Sequence, residues 1–113
     1  MQETELHQHM LALLQAVEAE MRLQQLWSAM PPSVEAMSSV MPFMYDTLKT
    51  HQWLQWVFIP RTRALIDARG RLPGNCHIHA LAEHEFAARS DVDSSRLLSL
   101  VLEIDHLMNL PRA

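Results

Sequence analysis

The middle of the chain holds the stretch that decides the fold, Trp53-Leu54-Gln55-Trp56-Val57-Phe58-Ile59-Pro60-Arg61. Apolar residues occupy nearly every face of this segment, which is typical of a helix buried almost all round. Pro60 lies inside it, where proline removes the amide that would bond the carbonyl of Trp56 and its ring crowds that carbonyl. We therefore expect a kinked central helix, with a break into two helices as the alternative.

Residues with known positional preferences mark the ends of this helix. It is predicted to begin near residues 47–50, where a threonine can cap the free amides. It runs to Arg69, and Gly70 is expected to supply the C-terminal stop. Before it, residues 30–46 form a predicted linker, whose many apolar side chains favour packing over the helices. Long loops in compact domains are often functional, so this linker is a candidate site.

Three further helices are predicted around the central one. Apolar residues recur at spacings of three and four from about Thr4 to Ser28, which indicates a first helix. A shorter helix is expected over about 77–88, and a last one, capped by Asp91 or Asp93, to about 109. The short later connections favour antiparallel neighbours. The sequence therefore predicts an all-α, four-helix bundle-like fold with a proline-kinked second helix at its centre.

Composition limits the class of protein. The 113 residues are 49% apolar and 19% charged, which fits one soluble globular domain over residues 1–113. Only two glycines occur, Gly70 and Gly74, and this disfavours an all-β fold and excludes glycine-rich dinucleotide and phosphate loops. The lone Cys76 excludes a disulfide framework and a multi-cysteine zinc site. The acidic start and the absence of any apolar run near membrane-spanning length predict a cytoplasmic protein without membrane contact.

Side chains that could carry chemistry do not form a complete motif. The seven histidines include His77 and His79 beside Cys76, and His79 and Glu83 have the i,i+4 spacing of a chelating pair on a helix. One Glu-x-x-His unit begins at Glu103, whereas di-iron bundles use two. We therefore predict no catalytic, cofactor-binding or metal-binding residue and no cofactor. An enzyme with a cryptic site is the least favoured hypothesis.

Charge is unevenly distributed along the chain, whose formal net charge is −4. Residues 47–71 contain five cations and one acid, whereas the segments on both sides are acidic. Four of the cations are Arg61, Arg63, Arg69 and Arg71. Some complement the C-terminal carbonyls of the central helix, but their number also favours an anionic partner. The acidic total disfavours wholesale binding of nucleic acid.

Several segments together carry a family resemblance: Pro42-Phe43, Asp46-Thr47-Leu48, the string from Gln52 to Arg61, and Leu72-Pro73. Over roughly residues 5–110 the sequence resembles the YqcC-like family of small bacterial proteins of unknown function. The resemblance implies an all-α, four-helix bundle-like domain. Members of that family are often encoded beside a tRNA pseudouridine synthase, which implies a link with RNA metabolism. The family has no assigned catalytic residues, so the resemblance identifies none here.

The favoured hypothesis is a non-enzymatic binding or adaptor module with an unknown protein partner. Its predicted site combines aromatic anchors with arginine, the composition of interaction hot spots, and comprises Phe43, Tyr45, Asp46, Trp53, Trp56, Pro60, Arg61 and Arg63. Two alternatives stay open: the two tryptophans can be plain core, and Asp46 can cap the helix or pair with Arg61. The second hypothesis is an accessory protein of tRNA modification that contacts RNA or its enzyme through Arg61–Arg71. A homo-oligomer is compatible with both hypotheses.

Overall fold

The computed structural model describes residues 2–111, which contain helices and no strand. Its helical elements are α1 (Glu3–Leu23), two 3₁₀ turns (Ala36–Ser38 and Pro42–Met44), α2 (Thr50–Trp53), a π-helical segment (Leu54–Phe58), α3 (Ile59–Asp67), α4 (His79–Phe86) and α5 (Ser95–Met108). Because α2, the π-helical segment and α3 follow one another without a gap, they form one central helix over residues 50–67. The prediction of an all-α domain with four main helices is confirmed for the described residues.

One hydrophobic core joins these helices. The buried stripe of α1 has the predicted three-and-four spacing and comprises Leu6, Met10, Leu13, Leu14, Val17 and Met21. It packs against α5, and α4 packs against both α5 and α2. The central helix buries Trp53, Leu54, Val57, Phe58 and Ile59, which agrees with its apolar sequence. No helix among residues 2–111 is long and apolar enough to cross a membrane.

The central helix passes through Pro60 without breaking into two. The interruption takes the form of the π-helical segment immediately before the proline, in which the Ile59 N–H donates to the carbonyl of Leu54. A π turn is wider than an α turn, so it accommodates a ring that would crowd the carbonyl of Trp56 in a regular α-helix. The structure therefore has one continuous, irregular central helix and not the alternative of two separate helices.

Two predicted helix ends are wrong. The first helix ends at Leu23, five residues before the predicted Ser28. Gln25 takes a left-handed φ of 60°, and the Leu26 N–H returns to the carbonyl of Met21 at 2.8 Å. This is a Schellman motif, in which the buried Leu26 supplies the apolar contact.

The central helix ends with the same motif at an unexpected residue. Arg69 has the left-handed φ of 56°, and no glycine of the described chain has a positive φ. Glycine at position 70 instead allows the backbone to pass close to Leu65. A Cβ there would lie 3.1 Å from Leu65 Cδ2 and 3.3 Å from the Leu65 carbonyl oxygen. The prediction that Gly70 stops the helix by its backbone freedom is therefore wrong.

Helix starts also differ from the predicted threonine caps. At the start of the central helix, the Gln52 side chain accepts the Lys49 N–H at 2.8 Å. The Thr47 hydroxyl does not cap but donates to the carbonyl of Ala36 at 2.7 Å, which ties the linker down. For α5 the N-cap residue is Ser94, whose side chain makes no capping hydrogen bond. The predicted Asp93 lies one position earlier, where it accepts the Ser95 N–H at 3.2 Å and the Ser95 hydroxyl at 2.7 Å.

Candidate functional site

A small apolar cavity lies between the central helix, the 3₁₀ turn Pro42–Met44, the loop 73–76 and the end of α5, and has a volume of about 230 Å³. We call it the Phe43–Trp53 pocket. Its apolar walls include Phe43, Trp53, Val57, Phe58, Leu65 and Met108. Arg61 also lines it and, among residues 2–111, is the one charged residue of the lining. The pocket therefore combines a hydrophobic interior with a single cation.

Aromatic packing shapes the pocket. The ring of Phe43 meets that of Trp53 edge-to-face, with centroids 5.0 Å apart and planes at 80°. Trp53 in turn contacts Phe58 at a centroid distance of 5.3 Å. Phe43 and Met44 have left-handed φ values of 55° and 50°, which cost roughly 1–2 kcal/mol per non-glycine residue. The fold thus holds Phe43 against Trp53 at the expense of backbone strain, and such strain clusters at functional sites.

Arg61 is exposed at this pocket. No hydrogen bond or ion pair joins it to another residue of 2–111. Asp46, the partner considered from the sequence, instead accepts a hydrogen bond from the Ser39 hydroxyl at 2.5 Å. The Asp46–Arg61 pair is therefore not formed, and the guanidinium is available to a ligand.

The other predicted site residues lie elsewhere. Trp56 and Pro60 line a separate open cavity with Trp27. Arg63 extends towards α1, where it approaches Glu18 at 3.4 Å. Tyr45 is 57% exposed and, like Asp46, does not line the pocket. The structure therefore brings together three of the eight predicted residues: Phe43, Trp53 and Arg61.

Trp27 is a half-buried residue that the sequence did not single out. The helix-ending motif at Gln25 turns the chain so that Trp27 stands beside α1, where the Arg22 guanidinium lies 4.9 Å from its ring centroid. Behind it the buried Gln55 side chain accepts the Ser28 N–H at 2.9 Å and donates to the Ser28 carbonyl at 2.7 Å. A glutamine inside an apolar helix is the signal that a backbone segment packs against it.

The loop that closes the pocket is fastened to α5 by two polar side chains. Asp105, 6% exposed, accepts the Ile78 N–H at 2.9 Å and the His79 N–H at 2.8 Å. Asn109 exchanges two hydrogen bonds with the backbone of Cys76, at 2.7 and 2.8 Å. These contacts fix the start of α4 and the adjoining pocket wall on the same helix.

Cys76 lines the pocket but is not activated. Burial, followed by its hydrogen bond and charge interaction with Asp105, raises the pKa of its thiol to about 12. The thiol is therefore neutral near pH 7 and a poor nucleophile, since the thiolate is the reactive form.

A second polar contact positions the start of the central helix. Glu85 of α4 accepts the His51 N–H at 3.0 Å and lies 2.5 Å from His51 Nδ1. Burial opposes ionisation of Glu85, but the hydrogen bonds and charge of His51, with a smaller effect of Arg89, hold its pKa below the ordinary value. The contact between Glu85 and His51 therefore ties α4 to the helix that carries Trp53.

Potential metal ligands are dispersed. Among residues 2–111, no three histidine, cysteine, aspartate or glutamate side chains are grouped closely enough to hold an ion. His77 and Glu83 are exposed, as are Glu103 and His106 of the single Glu-x-x-His unit.

The arginines of the basic segment are divided among several surfaces. Arg61 faces the Phe43–Trp53 pocket, and Arg63 lies beside Glu18. Arg69 occupies the end of the central helix, and Arg71 lines a wide open cavity with His77.

Comparison with known proteins places this architecture in a family. The model of the DUF446 family, described as "tRNA pseudouridine synthase C", matches residues 9–107. An uncharacterised protein of Haemophilus influenzae is 35% identical over 96 residues, 85% of this chain and 89% of that protein. The solution NMR structure of YqcC from Escherichia coli has a TM-score of 0.72 and 34% identity, and the match covers 91% of this chain and 87% of that one.

A further relative is much longer. A Pectobacterium carotovorum protein named tRNA pseudouridine synthase C is 46% identical over 57 residues, which make up 50% of this chain and 15% of that protein. About half of this chain is therefore similar to a small part of that protein. The family match, the Haemophilus relative and the shared fold together show that the chain belongs to the YqcC-like DUF446 family.

Proposed function

We propose that this protein is a non-enzymatic binding module of the bacterial cytoplasm that captures a protein partner at the Phe43–Trp53 pocket. The observation that carries this proposal is Arg61, an arginine without a partner among the described residues, at an apolar, aromatic-lined pocket. Tryptophan and arginine are enriched among residues that dominate binding energy at protein interfaces.

The rigidity of the pocket supports this proposal. Trp53 is in the core, the loop opposite is fixed by Asp105 and Asn109, and Phe43 is held by a strained turn. A site that is already ordered loses less conformational entropy when a partner binds. The neutral thiol of Cys76 also favours binding over nucleophilic chemistry.

Affinity capture tests the proposal. The tagged protein and its Arg61→Gln variant are incubated with lysate of the source bacterium, and captured proteins are identified by mass spectrometry. Arg63→Gln serves as the matched control, because Arg63 is on the same helix but lies beside Glu18. We expect one protein to be captured by the wild type and by Arg63→Gln but not by Arg61→Gln. After purification, that protein should bind the wild type directly. Capture that is identical for all three proteins would contradict the proposal.

A second function is favoured by the Pectobacterium relative. In that protein a segment similar to half of this chain is part of a polypeptide named tRNA pseudouridine synthase C. Segments joined in one chain in one organism often act together as separate chains in another. On this basis we propose that the partner is a tRNA pseudouridine synthase and that the protein is an accessory of tRNA modification.

Calorimetric titration of the purified protein into the synthase of the same organism tests this assignment. We expect saturable binding that weakens with Arg61→Gln. A parallel titration with tRNA alone examines direct RNA contact, for which Arg69 and Arg71 are the exposed candidates. Affinity for tRNA that falls steeply with salt, without binding to the synthase, would show that RNA itself is the partner.

A further inference from the structure

We propose that the Phe43–Trp53 pocket accepts a ligand that carries one large apolar group next to a carboxylate. This inference rests on the proposed function, because it specifies the chemistry that a partner inserts. The cavity volume of about 230 Å³ is below the roughly 300–1,000 Å³ of pockets that enclose drug-sized molecules. It therefore suits a single side-chain-sized group rather than a nucleotide or an organic cofactor.

The walls favour an aromatic group. Phe43, Trp53 and Phe58 are already arranged edge-to-face or tilted against one another, at centroid distances of 5.0 and 5.3 Å. A further ring can join such a cluster through its edge or face, which contributes beyond the buried area alone. Val57, Leu65 and Met108 complete an apolar lining around it.

The charge of the pocket selects an anion. Arg61 is the one charged lining residue, and the Cys76 thiol is neutral near pH 7. Asp105, the acid that hydrogen-bonds with that thiol, accepts two backbone amides at the start of α4. Among the described residues, an incoming anion therefore meets an unpaired guanidinium without a competing carboxylate in the pocket wall.

A carboxylate fits this single cation better than a phosphate. The guanidinium presents two parallel N–H donors that match the two oxygens of a carboxylate. A phosphate monoester carries up to two charges, and Arg63, the next arginine along the helix, lies beside Glu18 rather than at the pocket. Nucleotide binding is accordingly the competing outcome of the test.

The experiment is an NMR titration of the full-length, ¹⁵N-labelled protein with 3-phenylpropionate. The three tryptophans give three indole N–H signals, which single Trp→Phe variants assign. We expect the Trp53 signal to shift and to saturate at a Kd on the order of 1 mM, as for a small single-group ligand. Trp27 and Trp56 line a separate cavity, so their signals should remain unchanged.

Charge dependence is measured with two matched comparisons. The neutral analogue 3-phenylpropanamide should bind about tenfold more weakly than the acid, because it loses the charge-assisted hydrogen bonds. Arg61→Gln should weaken acid binding by about the same factor and leave amide binding unchanged, whereas Arg63→Gln should alter neither. Equal binding of acid and amide, or no response of Trp53 to either, would overturn the proposal. Tighter Arg61-dependent binding of uridine 5′-monophosphate would overturn it in favour of a nucleotide.

Two peptides distinguish the possible sources of the carboxylate. Acetyl-Gly-Phe offers a C-terminal carboxylate, and acetyl-Asp-Phe-amide offers an acidic side chain; the tighter binder identifies the source. These probes are independent of lysate capture. If they bind but no protein is captured, the adaptor function fails and the ligand chemistry stands. If Arg61-dependent capture succeeds while no probe shifts the Trp53 signal, the adaptor function stands and the proposed ligand chemistry fails.

Discussion

Replacement of Asp105 by asparagine tests how the pocket wall is held. Asp105 is 6% exposed and accepts the Ile78 N–H at 2.9 Å and the His79 N–H at 2.8 Å, one on each carboxylate oxygen. Asparagine keeps the shape but replaces one oxygen with an amide group, which is itself a donor. One backbone N–H of the pair then loses its acceptor and faces another donor.

The expected loss in the free energy of unfolding follows from the hydrogen bond and the charge that the substitution removes. Loss of a hydrogen bond to a charged acceptor, with one amide left buried, amounts to about 1.5–3 kcal/mol. Removing a negative charge from the start of a helix adds roughly 0.3–1 kcal/mol. We therefore expect Asp105→Asn to lower the free energy of unfolding by about 3 kcal/mol and Tm by roughly 10 °C.

Urea unfolding followed by circular dichroism measures this loss. Glu103→Gln is the matched control, because Glu103 is on the same helix but exposed, and its change should stay within about 0.5 kcal/mol. Amide spectra of the folded variant should show the largest shifts at Ile78 and His79. A loss below about 1 kcal/mol, or one equal to that of Glu103→Gln, would refute the assignment of Asp105 as the anchor of α4.

Three further predictions concern a helix end, an ion pair and the thiol. Arg69→Gly should raise the free energy of unfolding by about 1 kcal/mol in urea titrations, because glycine adopts the left-handed φ without strain, whereas Gly70→Ala should lower it through contact with Leu65. The contribution of Glu85 to stability, measured against Glu85→Gln, should be lost as the pH falls below the ordinary carboxyl pKa of 4.5 and through the lower folded pKa; an advantage of the wild type that grows below that pH would contradict the lowered pKa of Glu85. Cys76 should react with iodoacetamide at pH 8 much more slowly in the folded protein than in urea, since its folded pKa is about 12, and equal rates would contradict its burial.

The sequence sufficed for the fold because apolar periodicity reports burial directly. The stripe of α1 and the all-apolar central helix are buried as predicted. The helix ends are harder to predict from the sequence. The left-handed residues that end two helices are Gln25 and Arg69 rather than glycines, and tertiary packing imposes this conformation on them. The position of Asp105 in the sequence also indicates its structural role. It follows Val101 by four residues on the buried face of α5, and a carboxylate there requires buried donors.

The candidate site could be predicted only in part because a π turn changes which residues share a face. Trp53 and Arg61 are eight positions apart, which in a regular α-helix of 3.6 residues per turn separates them by about 80°. The π-helical segment Leu54–Phe58 lies between them, and a turn with one extra residue reduces the effective separation to about seven positions, or about 20°. Arg61 therefore lies over Trp53 at the pocket, while Trp56 and Pro60 lie beside Trp27. Because Pro60 favours this wider turn, the residue that interrupts the helix also helps to place the unpaired arginine at the aromatic pocket.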